Sequence, residues 1–249
     1  MKSTKYLSIV SLMVIGAFYG VSPVFAVSLN SAQNFAVLGA TTVTNTGSTV
    51  ITGDLGVTPG TAITGFPPGV LHGTEHQADA VAVLARTDAL SAYNAIAALS
   101  STLTLTGDLG GRTLTPGVYD FTSAAQLTGI LGLDFTGNLA KQFIFRIGSA
   151  LTTANNSSIN VINGSTDNVF WQIGSSATLG TGSLFKGNIL ADQSITLTTG
   201  AILDGRAIAL NGAVTMDTNT ISGVPLPASI WFMGSAMAAL FSFRKRKAA

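Results

Sequence analysis

The chain has 249 residues and a hydrophobic content of 47%, which excludes an intrinsically disordered protein. Charged residues make up only 9% of it, against about a quarter in ordinary soluble domains. Half of the twelve basic residues lie near the two ends, so the body carries six basic and eleven acidic residues. This body has no basic surface of the kind that nucleic-acid binding requires. Because the chain has no cysteine, disulfides, thiolate nucleophiles and Cys-ligated zinc are excluded.

The first 26 residues have the pattern of a secretory signal peptide. Lys2 and Lys5 precede an apolar run over residues 6–21, and in Val24-Phe25-Ala26 the small residues Val24 and Ala26 fit the expected cleavage site. A transmembrane anchor is the alternative, but the run is short and ends in a cleavage pattern. We therefore predict a secreted protein whose mature chain begins at Val27.

The other end, residues 224–249, carries a second tripartite pattern. Val224-Pro225-Leu226-Pro227-Ala228 precedes an apolar stretch over residues 229–243 and the basic cluster Arg244-Lys245-Arg246-Lys247. As a helix the stretch would span roughly 23 Å, which is marginal for a hydrocarbon core of about 30 Å. The pattern resembles the bacterial PEP-CTERM sorting signal, with a variant in place of Pro-Glu-Pro. The resemblance implies processing at residues 224–228 by an exosortase-type enzyme and delivery to the cell surface or extracellular matrix. A permanent membrane anchor is the alternative.

Residues 27–223 form the predicted body, which contains an internal repeat. Phe143-Ile144-Phe145-Arg146-Ile147 matches Val169-Phe170-Trp171-Gln172-Ile173 at a spacing of 26, and Ile195-Thr196-Leu197 matches Val214-Thr215-Met216 at 19. Thr52-Gly53-Asp54-Leu55-Gly56 returns at residues 106–110. Short strands and turns that repeat every 18 to 26 residues or so are typical of a β-solenoid, whose turns each hold three strands and three corners. We therefore predict an all-β-dominated solenoid, with a hairpin sandwich as the alternative.

One segment of the body, residues 75–100, has a helical pattern instead. Thr74 and Gln77 fit a capping box, and apolar residues then recur at helical spacing. These apolar residues are Val81, Leu84, Ala85, Ala92, Ile96 and Leu99. The sequence predicts one long α-helix that begins after Thr74 and needs an apolar surface to lie on.

The repeats predict two kinds of strand. In the first kind Phe143 and Phe145 would face one side and Ile144 the other, which indicates burial on both sides. We therefore expect the helix to cover one face of the solenoid along its length. The second kind alternates aliphatic residues with threonine, which predicts an uncharged, exposed threonine face. Its members are Thr42-Val43-Thr44, residues 102–106 and Thr196-Leu197-Thr198.

Catalytic motifs are scarce in this sequence. His72-Gly73-Thr74-Glu75-His76 fits the H-x-x-E-H pattern of inverted zinc peptidases, which requires both histidines on one helix. Because the helix is expected to begin after Thr74, His72 would lie off its face, and we predict no metal site. Nucleophile elbows and phosphate-binding loops are absent. The acidic residues stand singly, and Asp54, Asp108 and Asp204 lie beside glycines, which is typical of turns. The sequence therefore favours a protein that is not an enzyme and has no cofactor, with a polysaccharide-active enzyme as the alternative.

Several motifs follow one another in an order that resembles the microbial ice-binding-like adhesin family over residues 28–222. They are Asn34-Phe35-Ala36-Val37-Leu38-Gly39, Thr42-Val43-Thr44-Asn45-Thr46-Gly47, Gly53-Asp54-Leu55-Gly56-Val57, Thr64-Gly65-Phe66-Pro67-Pro68-Gly69, Leu114-Thr115-Pro116-Gly117-Val118-Tyr119 and Asn168-Val169-Phe170-Trp171-Gln172-Ile173-Gly174. The resemblance implies a right-handed β-helix of triangular section with one long α-helix packed along one face. It also implies a secreted antifreeze protein that binds ice through a flat face.

The resemblance also indicates candidate site residues, because active members of the family carry a Thr-Ala/Gly-x-Thr/Asn pattern on the ice-binding face. Full matches begin at Thr46, Thr61 and Thr153, and partial ones at Thr181 and Thr199. The candidate ice-binding residues are therefore Thr46, Thr49, Thr61, Thr64, Thr153, Asn156, Thr181 and Thr199. The expected partner of this monomer is ice, and extracellular polysaccharide is a second candidate. A structural or adhesive component of the cell surface without ice activity is the alternative function.

Overall fold

A computed structural model describes residues 27–223 of the chain. The predicted signal peptide and the predicted sorting signal both lie outside these described residues. Within residues 27–223 no helix is long and apolar enough to cross a membrane.

The described residues form strands throughout, apart from one α-helix and two short 3-10 helices at Asn30–Asn34 and Thr166–Asn168. In chain order the elements are β1 Phe35–Gly39, β2 Thr42–Thr46, β3 Val50–Thr52, β4 Asp54–Val57, β5 Ala62–Thr64, β6 Val70–His72, β7 Glu75–Gln77, α1 Ala80–Ala97, β8 Leu103–Thr104, β9 Thr113–Leu114, β10 Gly117–Phe121, β11 Ala125–Leu127, β12 Ile130–Asp134, β13 Phe143–Ile147, β14 Leu151–Thr153, β15 Ser158–Ile162, β16 Val169–Ile173, β17 Ala177–Leu179, β18 Leu184–Ala191, β19 Ile195–Leu197, β20 Ile202–Ala209, β21 Val214–Asp217 and β22 Thr220–Ser222. The predicted all-β fold with one long helix is confirmed.

The strands pair in parallel, so that successive turns of the chain stack on one another and present three faces. The threonine face is the seven-stranded sheet β5-β2-β21-β19-β17-β14-β11. The helix face is the series β7-β4-β1-β20-β18-β16-β13-β10-β8. The third face is the series β6-β3-β22-β20-β18-β15-β12-β9.

Two long strands, β18 and β20, turn the corner between the third face and the helix face. Each bends at a glycine, Gly187 with φ 108° and Gly205 with φ 146°. A Cβ atom on Gly205 would lie 2.0 Å from the carbonyl oxygen of Gly187. Only glycine fits this corner, because both the backbone conformation and the close approach exclude a side chain.

Strand pairing confirms two of the three predicted repeats. Phe145 lies opposite Trp171 in the β13/β16 pair, and Ile195 lies opposite Val214 in the β19/β21 pair. The two copies of the third repeat do not stack on each other in neighbouring turns. Asp54 begins β4 on the helix face, whereas Asp108 bridges Gln126 at the end of the threonine face. The shared Thr-Gly-Asp-Leu-Gly string is therefore used at two different corners.

The interior between the three faces is apolar and rich in stacked aromatic rings. The rings of Phe145 and Trp171 lie 4.0 Å apart at 8°, and Tyr119 stacks on Phe145 from the next turn at 5.4 Å. Trp171 also contacts Phe185, with ring centroids 5.0 Å apart. Because equivalent positions of successive turns repeat the same kind of residue, the core is continuous along the stack.

Helix α1 begins five residues later than the sequence predicts, at Ala80 rather than 75. Glu75–Gln77 is instead strand β7, which pairs with β4, so Thr74 is not the N-cap. Asp79 takes that role, because its Oδ1 accepts a hydrogen bond from the Ala82 N–H at 2.8 Å. This bond and a second one from His76 hold the pKa of Asp79 below its ordinary value.

The expectation that α1 covers one face is confirmed, but its predicted apolar stripe is partly wrong. The buried side chains of α1 are Ala82, Ala85, Ala89, Ala92 and Ile96. They pack on outward apolar residues of the helix face, among them Ile144 and Phe170. Val81 and Leu84 are instead 48% and 55% exposed. The small alanines let the helix lie close to the sheet.

The order of the chain differs from the order of the stack. β1 to β7 form the turns at one end, and α1 leads to β8, which starts the opposite end. The chain then returns turn by turn until β20, β21 and β22 pair with β1, β2 and β3. The first turn of the chain is therefore held against the last one by parallel strand pairing.

Candidate functional site

Six threonines form an unbroken outward column across the threonine face. Each lies opposite the next in the register of neighbouring strands, and Gln126 ends the series. In order they are Thr64, Thr44, Thr215, Thr196, Thr178 and Thr152. All six are exposed or half-exposed, because the residues on either side of them point into the core.

Small side chains flank this column on both sides. Two residues before it lie Ala62, Thr42, Ala213, Ser194, Ser176, Ala150 and Ala124. Two residues after it lie Phe66, Thr46, Asp217, Thr198, Gly180, Ala154 and Thr128, and the partly buried Phe66 beside the end strand is the one large side chain among them. From Thr44 to Thr152 no large side chain stands beside the column, so the outward surface of these five strands is even.

The backbone sets the spacing of this array. Neighbouring strands lie about 4.8 Å apart, and same-side residues along a strand repeat at about 6.6 Å. Continuous parallel strand pairing holds the threonines in position, and hydrogen bonds of their side chains contribute at several points. Thr44 Oγ1 lies 3.4 Å from Thr215 Oγ1, and Thr198 Oγ1 donates to the Leu179 carbonyl at 2.8 Å. The hydroxyl and methyl groups therefore form a regular two-dimensional pattern.

The threonine face is nearly uncharged. Among the outward residues of its seven strands, Asp217 carries the one charge, and Asp108 lies one rung beyond Gln126. The arginines of the described chain lie elsewhere and donate to backbone carbonyls, as Arg146 does to Ala97 and Leu99. Neutral hydroxyl groups therefore dominate the chemistry of this surface.

The candidate residues from the sequence fall into three groups. Thr46 and Thr64 lie on the threonine face, and the exposed Thr61 immediately precedes β5. Asn156, Thr181 and Thr199 are exposed in the turns between the threonine face and the third face. Thr49 and Thr153 are buried, so the structure contradicts their assignment to an exposed surface.

The two buried threonines have structural partners that explain their positions. Thr49 Oγ1 accepts a hydrogen bond from the Asn219 N–H at 3.0 Å, and Thr153 Oγ1 accepts one from the Gly180 N–H at 2.8 Å. Each hydroxyl thus satisfies a backbone donor of the neighbouring turn. The four-residue motif does not distinguish such inward threonines from outward ones.

The motif also missed most of the column. Thr44 and Thr196 belong to the alternating strands that predict a threonine face, and that prediction is confirmed for them. Thr152, Thr178 and Thr215 carry the same signal, a threonine between two inward-facing residues. Residues 102–106 do not join the face, because β8 pairs with β10 on the helix face and Leu103 is 51% exposed.

The histidine motif lies elsewhere and has a different backbone from the one a zinc peptidase needs. His72 ends β6 and His76 lies in β7, so the two histidines do not share a helix. His76 Nδ1 lies 2.7 Å from Asp79 Oδ2, beside the helix N-cap. Within residues 27–223 no group of three or more metal-ligating side chains is present.

Comparison with known sequences places the chain in a family. The sequence profile of the ice-binding-like family matches residues 37–222. The chain belongs to the ice-binding-like family. An ice-binding protein of Nostoc sp. (strain HG1) is 53% identical over 258 residues, which cover 97% of this chain and 96% of the relative. An ice-binding protein of Flavobacterium frigoris (strain PS1) is 32% identical over 213 residues, covering 79% of this chain and 76% of that one.

Solved structures of ice-binding proteins have the same fold as this ice-binding-like protein. One from an Antarctic biological consortium aligns with a TM-score of 0.77 at 47% identity, covering 79% of this chain and 90% of its own. One from the ascomycete Antarctomyces psychrotrophicus also aligns with a TM-score of 0.77, at 41% identity, covering 80% of this chain and 99% of its own.

Proposed function

We propose that this ice-binding-like protein binds ice through the threonine face. The observation that carries the proposal is the column of six outward threonines in continuous register. The two relatives and two solved structures described above are themselves ice-binding proteins, which supports the same function here.

The mechanism is cooperative adsorption to a surface of ordered water. Each threonine hydroxyl exchanges a hydrogen bond with liquid water for one with ordered water, a net gain of about 1 kcal/mol or less. Each methyl group adds a small apolar contact. A single threonine therefore binds ice negligibly, but a rigid array whose members all engage together adsorbs strongly, because its order is already fixed by the strand pairing.

The central test is a bulky side chain in the middle of the column. We expect Thr178→Tyr to abolish the shaping of ice crystals and to remove most of the freezing hysteresis, because the ring holds the neighbouring threonines away from a flat crystal. Thr87→Tyr is the matched control, since Thr87 is exposed on α1 over the helix face. Equal hysteresis for the Thr178 variant and the unmodified chain would overturn the proposed face.

The alternative function predicts a different result in the same experiment. A structural or adhesive protein of the cell surface would leave ice unshaped with or without the substitution. It would instead be retained by the extracellular polymer matrix or by a polysaccharide. Unshaped ice together with such retention would favour that role over ice binding.

We further propose that the protein is exported and sorted, and that its stacked turns form a right-handed β-helix of triangular section. The signal-peptide pattern supports export, and the PEP-CTERM-like pattern at residues 224–228 supports processing by an exosortase-type enzyme and delivery to the cell surface. Three parallel strand series meeting at shared corners support the triangular section. The mass of the exported protein tests the first part, since cleavage at the predicted site leaves Val27 as the first residue.

A further inference from the structure

The threonine face contains one carboxylate, and it stands between two threonines. Asp217 ends β21 directly opposite Thr46 of β2. On the other side Leu197 ends β19 opposite Met216, and Thr198 is the next residue after it, as Asp217 is after Met216. Asp217 therefore stands between two threonines on an otherwise neutral surface. Its side chain is half-exposed, so its charge faces the same solvent as the threonine column.

The contacts of Asp217 leave its charge without a cationic partner. Its Oδ2 accepts a hydrogen bond from Thr199 Oγ1 at 2.5 Å, and its Oδ1 accepts one from Thr218 Oγ1 at 3.0 Å. None of the ion pairs in residues 27–223 includes Asp217. The backbone at this position is held independently, since the Asp217 N–H donates to Asn219 Oδ1 at 2.7 Å.

An ionised carboxylate orders water differently from a hydroxyl group. It only accepts hydrogen bonds, whereas a threonine hydroxyl both donates and accepts. Water around the carboxylate therefore points its hydrogens toward the charge, and removing that water is costly. A layer of ice needs hydrogen-bond donors and acceptors in balance. Ice that adsorbs over Asp217 must therefore either remove the water bound to this carboxylate or leave a gap between the carboxylate and the ice.

We propose that Asp217 limits the ice affinity of the threonine face and that a neutral side chain at this position strengthens it. This inference rests on the proposed function, because it concerns the strength of the same surface. A threonine at position 217 would then join Thr46 and Thr198 into a run of three threonines beside the central column.

The test compares Asp217→Asn and Asp217→Thr with the unmodified full chain. Asparagine removes the charge and keeps the shape, and threonine also supplies the hydroxyl and methyl groups of the neighbouring row. We expect both variants to inhibit ice recrystallisation at about two- to five-fold lower concentration, the equivalent of regaining roughly one hydrogen bond. Asp204→Asn is the control, because Asp204 is a half-exposed carboxylate on the third face, 3.9 Å from the Lys186 ammonium.

The outcomes separate this inference from the proposed function. An unchanged or weaker Asp217→Asn would overturn the inference, as would an equal gain in Asp204→Asn, which would reflect net charge alone. A gain in Asp217→Thr without one in Asp217→Asn would show that shape rather than charge limits affinity, and this also overturns it. If Thr178→Tyr leaves ice shaping intact, the proposed face itself fails, whatever Asp217 does. Equal melting temperatures verify that all variants are folded.

Discussion

Arginine side chains join parts of this molecule that strand pairing leaves unconnected. Arg86 on α1 donates from Nε to the Leu210 carbonyl at 2.9 Å, and Arg206 donates from Nε to the Gln33 carbonyl at 2.7 Å. Arginine suits this role because its planar guanidinium holds several donors in a fixed geometry. The same contacts hold these two guanidinium groups at positions away from the threonine face.

Arg146 makes more side-chain hydrogen bonds than the other arginines of residues 27–223, and its loss should be measurable as lower stability. Its guanidinium pairs with both carboxylate oxygens of Asp120 at 2.5 and 2.6 Å. It also donates to the carbonyls of Ala97 and Leu99 at the end of α1. We expect Arg146→Ala to lower the free energy of unfolding by about 3 kcal/mol, since it leaves a partly buried carboxylate unpaired. Denaturant unfolding checks this value.

Lys186→Ala is the matched control for that prediction. The Lys186 ammonium lies 3.9 Å from Asp204 Oδ2, and both side chains are substantially exposed. Such pairs contribute about 1 kcal/mol or less. If the two variants lost equal stability, the Arg146 contacts would be no stronger than an ordinary surface pair.

At the scale of the elements, α1 depends on alanine rather than on large apolar side chains. Its buried side is almost entirely alanine, while the sheet beneath it supplies the larger side chains, such as Phe170 and Leu190. In most amphipathic helices the large apolar side chains are buried. In α1 the buried side chains are mainly small, and large ones such as Val81 and Leu84 are exposed. This arrangement fixes the distance between helix and sheet through the size of the buried residues.

A larger residue on the buried side should push the helix away from the sheet. Ala89 is fully buried, and we expect Ala89→Leu to lower the free energy of unfolding by about 1–3 kcal/mol through overpacking. For a chain of this size that equals a fall in melting temperature of roughly 2–4 °C per kcal/mol. Calorimetry measures the change.

Ala95→Leu makes the same substitution on the exposed side of the same helix. Because Ala95 is exposed beside a surface groove that has room for a larger side chain, the expected effect is within about 0.5 kcal/mol of zero. Equal losses for the two variants would mean that the alanine side does not set the spacing, and that leucine itself is unfavourable in this helix.

The sequence predicts elements of this fold well where neighbouring turns repeat, and poorly where they do not. β13 and β16 share a pattern of large apolar residues on both sides, and their pairing follows from it. The start of α1 was missed because Thr74 and Gln77 imitate a capping box, while pairing with β4 keeps that segment extended. Tertiary pairing here outweighs a local signal.

Prediction of the candidate site from the sequence has the same limit. Alternation within a strand identifies Thr44 and Thr196 as outward residues, because the period of a strand is two. The turns do not follow this period, so a motif that crosses a corner cannot tell the buried Thr49 from the exposed Thr46. Register between distant turns decides which threonines align, and that register involves pairs such as Thr44 and Thr215.

For the whole molecule, the decisive feature is the junction between the first and the last turn. β20, β21 and β22 pair with β1, β2 and β3, so the threonine column passes from Thr44 to Thr215 across this junction. The ends of the described chain, Val27 and Gly223, line the same surface groove. The order in which the chain visits the turns is therefore not required by the stack itself.

A circular permutation tests this independence of chain order. A flexible linker joins Gly223 to Val27, and a new opening between Ser100 and Ser101 separates α1 from β8. Chain order then follows stack order, because β22 leads directly to β1 and α1 comes last. We expect a cooperative fold with an unchanged threonine face, since the linker joins two ends that line one groove, at small entropic cost, and the opening lies between two exposed residues. Circular dichroism and thermal unfolding measure the fold.

A second permutation with the same linker provides the control. Its opening lies between Gly187 and Asn188, inside β18, where the backbone is paired on both sides and Asn188 is buried. We expect this chain to lose cooperative unfolding, because the break removes ladder hydrogen bonds at the centre of the stack. If the chain opened at Ser100 fails in the same way, the first and last turns need their natural connection through α1, and the stack is not independent of chain order. If it folds and still shapes ice, the threonine face is assembled by strand register alone.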